Sequence, residues 1–254
     1  MNPSVVRLFH MAAHAWLALY MLALLVLGEA AWTNAPVDLF TRPGSTAWSL
    51  HHAVDAFTGA YGSWLCASLG VIAVGQLRRA RWRPGLVAWA LFRAITFRTW
   101  LASNGGIQLM ENMLLWSALM AVPRRAEQVA VAAFWIARLQ LLLVYAVTAA
   151  HKLTGSAWID GSAVLRVAHD PLFHLGWLAH LPGLCRLLTH GALCWMALFA
   201  MAVWWRGSRR VFLALGAVFH GCTAIFMDIP QMGLAFIACS ALWLQEGEAR
   251  AVLQ

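Results

Sequence analysis

One lysine is the first candidate for acid–base chemistry in this chain. Lys152 is the only lysine in 254 residues, since every other residue of its charge class is an arginine. It follows His151 at the end of a long apolar stretch, where partial desolvation lowers the pKa of an ammonium toward neutrality. A neutral amine is a base, which an arginine cannot practically be. The competing interpretation is a charged lysine whose apolar side-chain stem lets the ammonium extend to the membrane surface. Physical reasoning alone does not decide between the base and the charged lysine.

Charged and polar side chains inside apolar stretches form a second group of candidates. Charges at bilayer depth are costly, so they usually face the interior of a helical bundle and mark a function or a structural pair. Arg98 and Glu111 flank a short polar turn and are predicted to form an ion pair, which either holds two helices in register or binds an anionic group. His220 lies near the middle of an apolar stretch, where hydrogen-bonded packing competes with a ligand role. Arg93 and Arg138 are the other charges at this depth.

The histidines and cysteines do not form a recognisable metal-binding motif. His51 and His52 are adjacent but have no third ligand of known position. His10 and His14 have helical i, i+4 spacing without a carboxylate or further ligand, so a helix face is the default interpretation. The five cysteines form no CxxC pair and are typical of small core residues. No metal is therefore predicted, and the lack of a Walker loop, a GxGxxG motif or a GxSxG motif argues against nucleotide-dependent enzymes and the familiar serine hydrolases.

The composition indicates that membrane helices position these residues. The chain is 62% apolar and 11% charged, whereas soluble domains are about half apolar and a quarter charged. Fifteen tryptophans suit the boundary between water and lipid. Eight segments approach the ~20 apolar residues that a spanning helix needs, which predicts an all-α, polytopic helical bundle that forms one transmembrane domain over residues 1–254. The predicted spans are 8–28, 60–77, 85–101, 106–122, 129–150, 187–205, 211–227 and 230–245.

The distribution of charge predicts the orientation of this bundle. With eight spans, one set of loops and ends carries eleven basic and three acidic residues, and the other set carries four basic and six acidic residues. The positive-inside rule then places both termini in the cytoplasm, in what we expect to be a bacterial inner membrane. The same rule explains the net charge of +8 without nucleic acid as a partner. Two long outer loops, 29–59 and 151–186, hold six of the ten histidines, so function is expected on the outer face.

The stretch around the lysine resembles a known family. Tyr145, the run His151-Lys152-Leu153, Trp158 and Gly161 are similar to the core motif of the vitamin K-dependent gamma-carboxylase-like superfamily, also called the horizontally transferred transmembrane domain (HTTM). The resemblance extends over most of residues 5–245. It includes Phe219-His220 before the last apolar helix. The chain has Asn104-Gly105-Gly106 where the carboxylase has a histidine. It resembles a short form, without the large lumenal part that binds the carboxylase's peptide.

The resemblance implies a specific chemistry. In the carboxylase, a lysine deprotonates a reduced quinone that reacts with oxygen, and the resulting strong base removes a proton from a peptide glutamate before carbon dioxide adds. That lysine corresponds to Lys152 here. The resemblance thus implies a reduced, vitamin K-like quinone as cofactor, with Lys152, His151 and His220 as catalytic residues. Cofactor contacts are expected from Arg98, Glu111, Tyr145 and Trp158.

Three functions follow as alternatives. The first is a membrane enzyme that uses a quinol at its outer face to modify a peptide or small substrate, with carboxylase-like or oxygenase-like activity. The second is a non-catalytic membrane partner in the maturation or export of a secreted peptide. The third is a transporter-like bundle, which is disfavoured because no inverted repeat is apparent. In each of them the lipid bilayer is a partner, and the first two add a peptide substrate or a partner membrane protein.

Overall fold

The computed structural model describes residues 1–27, 46–99 and 103–254, with the backbone alone for residues 27 and 46–51. Within these ranges the chain is helical and contains no β-strand. The α-helices are α1 (Pro3–Leu27), α2 (Thr46–Arg78), α3 (Trp82–Arg98), α4 (Gly105–Met120), α5 (Glu127–Lys152), α6 (Ser156–Ile159), α7 (Ala163–His169), α8 (Pro182–Ala202), α9 (Arg206–Phe226), α10 (Pro230–Ser240) and α11 (Glu246–Leu253). Short 3-10 helices cover Arg124–Ala126, Gly176–His180 and Ala241–Trp243.

Five of these helical stretches are long and apolar enough to cross a membrane. They are Pro3–Val26, His52–Arg78, Arg124–Lys152, Pro182–Ala202 and Arg206–Phe226. The prediction of an all-helical chain with membrane-type helices is thereby confirmed. The other three predicted spans coincide with α3, α4 and α10, which have 17, 16 and 11 residues. In the described ranges, length and composition thus support five spans, and the count of eight stays a prediction.

The two segments predicted as long outer loops contain helix. The loop expected over 29–59 is helical from Thr46 onward, because α2 continues far beyond the predicted span of 60–77. The loop expected over 151–186 contains α6, α7 and a 3-10 turn. The polar residues of these two segments interrupt the apolar pattern of the sequence but do not interrupt the helical backbone. The ends of the predicted spans at 28 and 100–101, and the side chain of His51, lie outside the described residues.

The chain divides into two compact units. Unit 1 comprises Met1–Phe134 with Glu246–Gln254. In it α1 packs against α2, α4 and α11, and α3 packs between α2 and α4. The hairpin of α3 and α4 is tight, since a Cβ on Gly85 would lie 2.9 Å from the Cβ of Ala118. Asn104 caps the start of α4 by accepting hydrogen bonds from the N–H groups of Gly106 (3.0 Å) and Ile107 (3.2 Å).

Unit 2 comprises Trp135–Gln245 and contains most of α5. Here α9 packs on α10 and α7 packs on α8. The contact of α9 with α10 is close, because a Cβ on Gly233 would lie 2.8 Å from the Cβ of Ala224 and would overlap the carbonyl oxygen of His220. Along α5, Leu143 and Val147 are exposed and suit lipid. The opposite face of α5 is buried, and that face carries the polar residues considered next.

Candidate functional site

Lys152 is the last residue of α5 and lies against a tryptophan. The chain turns sharply after it, through hydrogen bonds from the Thr154 N–H to the His151 carbonyl (3.2 Å) and from the Gly155 N–H to the Lys152 carbonyl (3.0 Å). This turn brings Trp158 of α6 back over the lysine, with Nζ 3.6 Å from the ring centroid. The lysine is half-buried, and its amine lies over the ring in the geometry of a cation–π contact.

The turn that carries Trp158 is fixed to α8 by a glycine. Gly161 has φ of +83°, and a Cβ there would lie 2.5 Å from Cγ of Arg186 and 2.8 Å from Nε2 of His190. Only glycine therefore fits. The preceding residue, Asp160, accepts a hydrogen bond from the N–H of Ser162 at 2.8 Å. The Ser162 side chain and backbone together hold the pKa of this exposed carboxyl below its ordinary value. The sequence Asp160-Gly161 thus forms a defined turn after α6.

A buried hydrogen bond joins Tyr145 of α5 to His220 of α9. The tyrosine oxygen lies 2.8 Å from Nε2 of His220, and the two residues are 2% and 3% exposed. The other ring nitrogen, Nδ1, is buried and has no hydrogen-bond partner in the described part of the chain. Whichever tautomer is present, one nitrogen serves the tyrosine and the other is left as an unsatisfied donor or acceptor. Such groups are uncommon in protein interiors, and Nε2 of His10 and Nε2 of His14 are two others in the described part of the chain. A ligand or an ordered water would satisfy Nδ1 of His220.

Aromatic rings surround this pair. Phe236 of α10 stacks on His220 with centroids 4.5 Å apart and planes at 9°. Phe199 of α8 lies 4.2 Å from Tyr145, and Trp195 contacts both members of the pair, at 5.1 Å and 5.8 Å. The surroundings of the pair are therefore apolar and rich in π-systems.

Three polar residues of α5 follow one face of the helix in unit 2. Arg138, Tyr145 and Lys152 are spaced by seven residues, which returns nearly to the same side after two turns, about 10.5 Å along the axis. Each has a tryptophan beside it. The guanidinium of Arg138 lies 4.8 Å from the ring centroid of Trp243, and its Nε–H donates to the carbonyl of Leu242 at 2.8 Å. The face carries a column of three polar groups.

The two predicted cofactor contacts on α3 and α4 do not pair with each other. Glu111 binds Arg93 at 2.5 Å, and Arg98 binds the carboxylate of Asp55 in α2. The expected pair of Arg98 with Glu111 is wrong because of register. Glu111 lies six residues into α4 and Arg93 five residues before the end of α3, so in an antiparallel hairpin these two are level. Both ion pairs lie in unit 1, whereas Lys152, Trp158, Tyr145 and His220 lie in unit 2.

The remaining histidines are not gathered into a cluster. In the described ranges, no group of three or more His, Cys, Asp or Glu residues is placed to hold a metal ion. His151 is exposed beside Lys152. His10 and His14 are buried in unit 1, where Nδ1 of His10 lies 2.8 Å from the Ser117 hydroxyl and Nδ1 of His14 donates to the carbonyl of His10. The i, i+4 spacing of His10 and His14 therefore reflects helix packing.

The sequence interpretation missed the aromatic surroundings of the tyrosine–histidine pair. Trp195 donates its indole N–H to the carbonyl of Phe212 at 3.0 Å, and its ring lies over Gly216, where a Cβ would approach to 2.8 Å. The sequence did contain one signal that His220 faces the interior. The buried residues of α9 recur at helical spacing along one face; they are Arg209, Gly216, His220 and Thr223.

Comparisons with family models, with curated proteins and with solved structures found no match to the chain.

Proposed function

We propose that the chain is a multi-pass membrane enzyme that binds a quinol at the Tyr145–His220 pair and uses Lys152 as its base. Under this proposal it is a member of the vitamin K-dependent gamma-carboxylase-like superfamily and acts on a peptide or small substrate at the outer face. The observation that carries the proposal is the 2.8 Å tyrosine–histidine hydrogen bond with its unpartnered, buried Nδ1 inside aromatic side chains.

We further propose eight membrane crossings with both termini in the cytoplasm. The five long helices then supply five crossings, and α3, α4 and the stretch Pro230–Trp243 supply the other three. Helices of 17 and 16 residues extend about 25 Å, close to the hydrocarbon thickness. The hairpins that join α3 to α4 and α9 to α10 support this count, because their close helix contacts suit helices that return through the same layer. The asymmetry of basic residues supports the orientation.

The residues around His220 fit a quinol. Nδ1 of His220 would hydrogen-bond a ligand oxygen, while the hydroxyl of Tyr145 holds the imidazole in one orientation. The aromatic side chains would provide stacking surfaces for the ring. When bound, a hydroquinone supplies reducing equivalents and, with oxygen, a strong base. Lys152, two turns further along α5 than Tyr145, would accept at its Nζ the proton of a hydroquinone hydroxyl. Its place at the end of α5 would give a lipid-soluble reductant lateral access.

Substitutions at Lys152 test the role of the base. In nanodiscs, a short-chain naphthohydroquinone should quench tryptophan fluorescence of the wild type and drive oxygen consumption. Lys152→Arg keeps the charge and the contact with Trp158 but removes the base, so binding should persist while oxygen consumption falls by about 10²–10⁴-fold. Arg78→Gln, on the exposed end of α2, serves as a control. Full oxygen consumption by Lys152→Arg would exclude Lys152 as the base.

Substitution of His220 tests the binding site separately. His220→Leu removes the free nitrogen, and the loss of a buried hydrogen bond should weaken hydroquinone binding about tenfold or more. Tyr61→Phe, on an exposed tyrosine of α2, is the matched control and should bind normally. Equal binding by His220→Leu and the wild type would remove the support that the orphan nitrogen gives to the proposal.

One observation favours a non-catalytic membrane partner as the second candidate. The 3.6 Å contact of Lys152 with Trp158 suits a lysine that stays charged and fixes the turn after α5. A protein with this role helps a secreted peptide mature without chemistry of its own. Lys152→Arg would then retain function and Lys152→Met would lose it together with stability, whereas the enzyme loses activity in both.

A further inference from the structure

The segment between α7 and α8 is apolar on two opposite sides. We define the elbow as residues 170–181, which include the 3-10 helix Gly176–His180. On its inner side, Leu178 is 3% exposed and packs with Ala168 of α7 and Cys185 of α8 in one hydrophobic cluster. On its outer side, Leu172 and Trp177 are 77% and 56% exposed. Exposed apolar residues beside a buried apolar cluster are typical of a surface that contacts a second apolar medium.

The backbone of the elbow is suited to low water content. The Leu172 N–H donates to the Asp170 carboxylate at 3.0 Å, and the His174 N–H donates to the carbonyl of Phe226 in α9 at 2.8 Å. Within the elbow, the N–H groups of Leu178 and Leu181 donate to carbonyl oxygens at 2.8 and 2.9 Å. Irregular backbone enters the edge of a bilayer only when its polar groups are satisfied in this manner.

The exposed side of the elbow continues into a membrane helix. Leu181 is 46% exposed and immediately precedes α8, a candidate span in which Leu184, Leu187 and Leu188 are also exposed. The lipid-facing surface of α8 therefore extends onto the elbow without interruption. Tryptophan, here Trp177, is enriched at the level of the lipid headgroups.

We propose that the elbow is an interfacial membrane anchor, with Leu172, Trp177 and Leu181 inserted among the lipid chains at the rim of unit 2. The bilayer is the occupant that these observations favour, because the exposed leucines continue onto a candidate spanning helix and several backbone N–H groups of the elbow already donate within the protein. The proposal requires only that α8 crosses the membrane, and it stands or falls independently of quinol binding.

Depth measurements on spin labels test the anchor. Cys194 and Cys222 are the exposed cysteines among the described residues and would first be changed to serine. Nitroxides are then attached singly to Leu172→Cys and Trp177→Cys in nanodiscs of phosphatidylcholine and phosphatidylglycerol. Power saturation should show several-fold higher accessibility to oxygen relative to a water-soluble nickel chelate than at Arg79→Cys, which follows the exposed end of α2.

Two further labels complete the test. Leu139→Cys, on the exposed face of α5, supplies the value for a lipid-facing site, and the elbow labels should fall between it and Arg79→Cys. Nickel accessibility at Leu172→Cys and Trp177→Cys equal to that at Arg79→Cys would overturn the anchor. Low accessibility to both reagents, with dipolar broadening between two copies, would overturn it in favour of a protein interface.

Discussion

Removal of a single hydroxyl, in Tyr145→Phe, isolates the central contact of unit 2. The variant keeps the ring and its aromatic neighbours but leaves Nε2 of His220 without the partner that it has at 2.8 Å. A buried group that loses its partner costs about 1–3 kcal/mol in soluble proteins, whereas hydrogen bonds between membrane helices average ~0.6 and reach ~1.7 kcal/mol. Because the two residues are 2% and 3% exposed, we expect a loss near the upper membrane value, about 1–1.7 kcal/mol.

The chain contains its own controls for this measurement. It has three tyrosines, and Tyr20→Phe and Tyr61→Phe remove hydroxyls that are not part of this pair. Unfolding in mixed micelles by increasing dodecyl sulfate, followed by tryptophan fluorescence, gives the free energy of unfolding for each variant. We expect the unfolding equilibrium of Tyr145→Phe to shift by roughly five- to twentyfold and those of the two controls to change little.

A double-mutant cycle separates the contact from other effects. Tyr145→Phe combined with His220→Leu removes both polar groups, so the pair is expected to cost less than the sum of the single variants. If the two changes are additive, and Tyr145→Phe is no more costly than Tyr61→Phe, the hydroxyl and the imidazole do not stabilise each other. The argument for a preset imidazole at His220 would then be refuted.

Three further predictions concern the supports of the fold. Arg98→Gln should lower the free energy of unfolding by about 3–5 kcal/mol, because it leaves the largely buried carboxylate of Asp55 without this partner; a loss no larger than that of Arg78→Gln in the same titration would contradict this. Asn104→Ala should cost about 1 kcal/mol and speed amide exchange in the first turn of α4, whereas the aspartate variant should retain the cap. Gly161→Ala should cost at least about 1–2 kcal/mol in thermal unfolding because φ is +83°, and Gly155→Ala should be tolerated; equal losses would refute the strain at Gly161.

Sequence patterns predicted the helices well where hydrophobicity alone decides. The long apolar run before Lys152 is α5, and the prediction that it ends at the His-Lys-Leu run is confirmed, since α5 ends at Lys152 and is followed by a turn. Helices in polar stretches are harder to predict from hydropathy, because backbone hydrogen bonds keep a helix intact when its side chains are hydrophilic. The N-terminal part of α2 and the short helices after Lys152 were therefore expected as loops.

Contacts between helices were the part that the sequence could not supply. The acceptor of Arg98 was assigned by proximity to the hairpin turn, but the register of α3 against α4 places Arg93 level with Glu111 and leaves Arg98 to Asp55. The partnership of Tyr145 with His220 joins residues 75 positions apart, and no local spacing reports such a meeting. Both outcomes depend on how helices are rotated and shifted, which hydropathy does not encode.

The seven-residue spacing of Arg138, Tyr145 and Lys152 restricts how α5 can change in length. An insertion of one residue between Arg138 and Lys152 would rotate the part of the helix after it by about 100°. That rotation would direct a charged or hydroxyl group toward hydrocarbon. A cation at the centre of a membrane helix costs about 2.5–3.5 kcal/mol on the insertion scale. Insertion of seven residues restores the facing but lengthens the helix by about 10.5 Å, a third of the hydrocarbon layer. Divergence in this stretch should therefore proceed by substitution, with insertions and deletions displaced to the connections between helices.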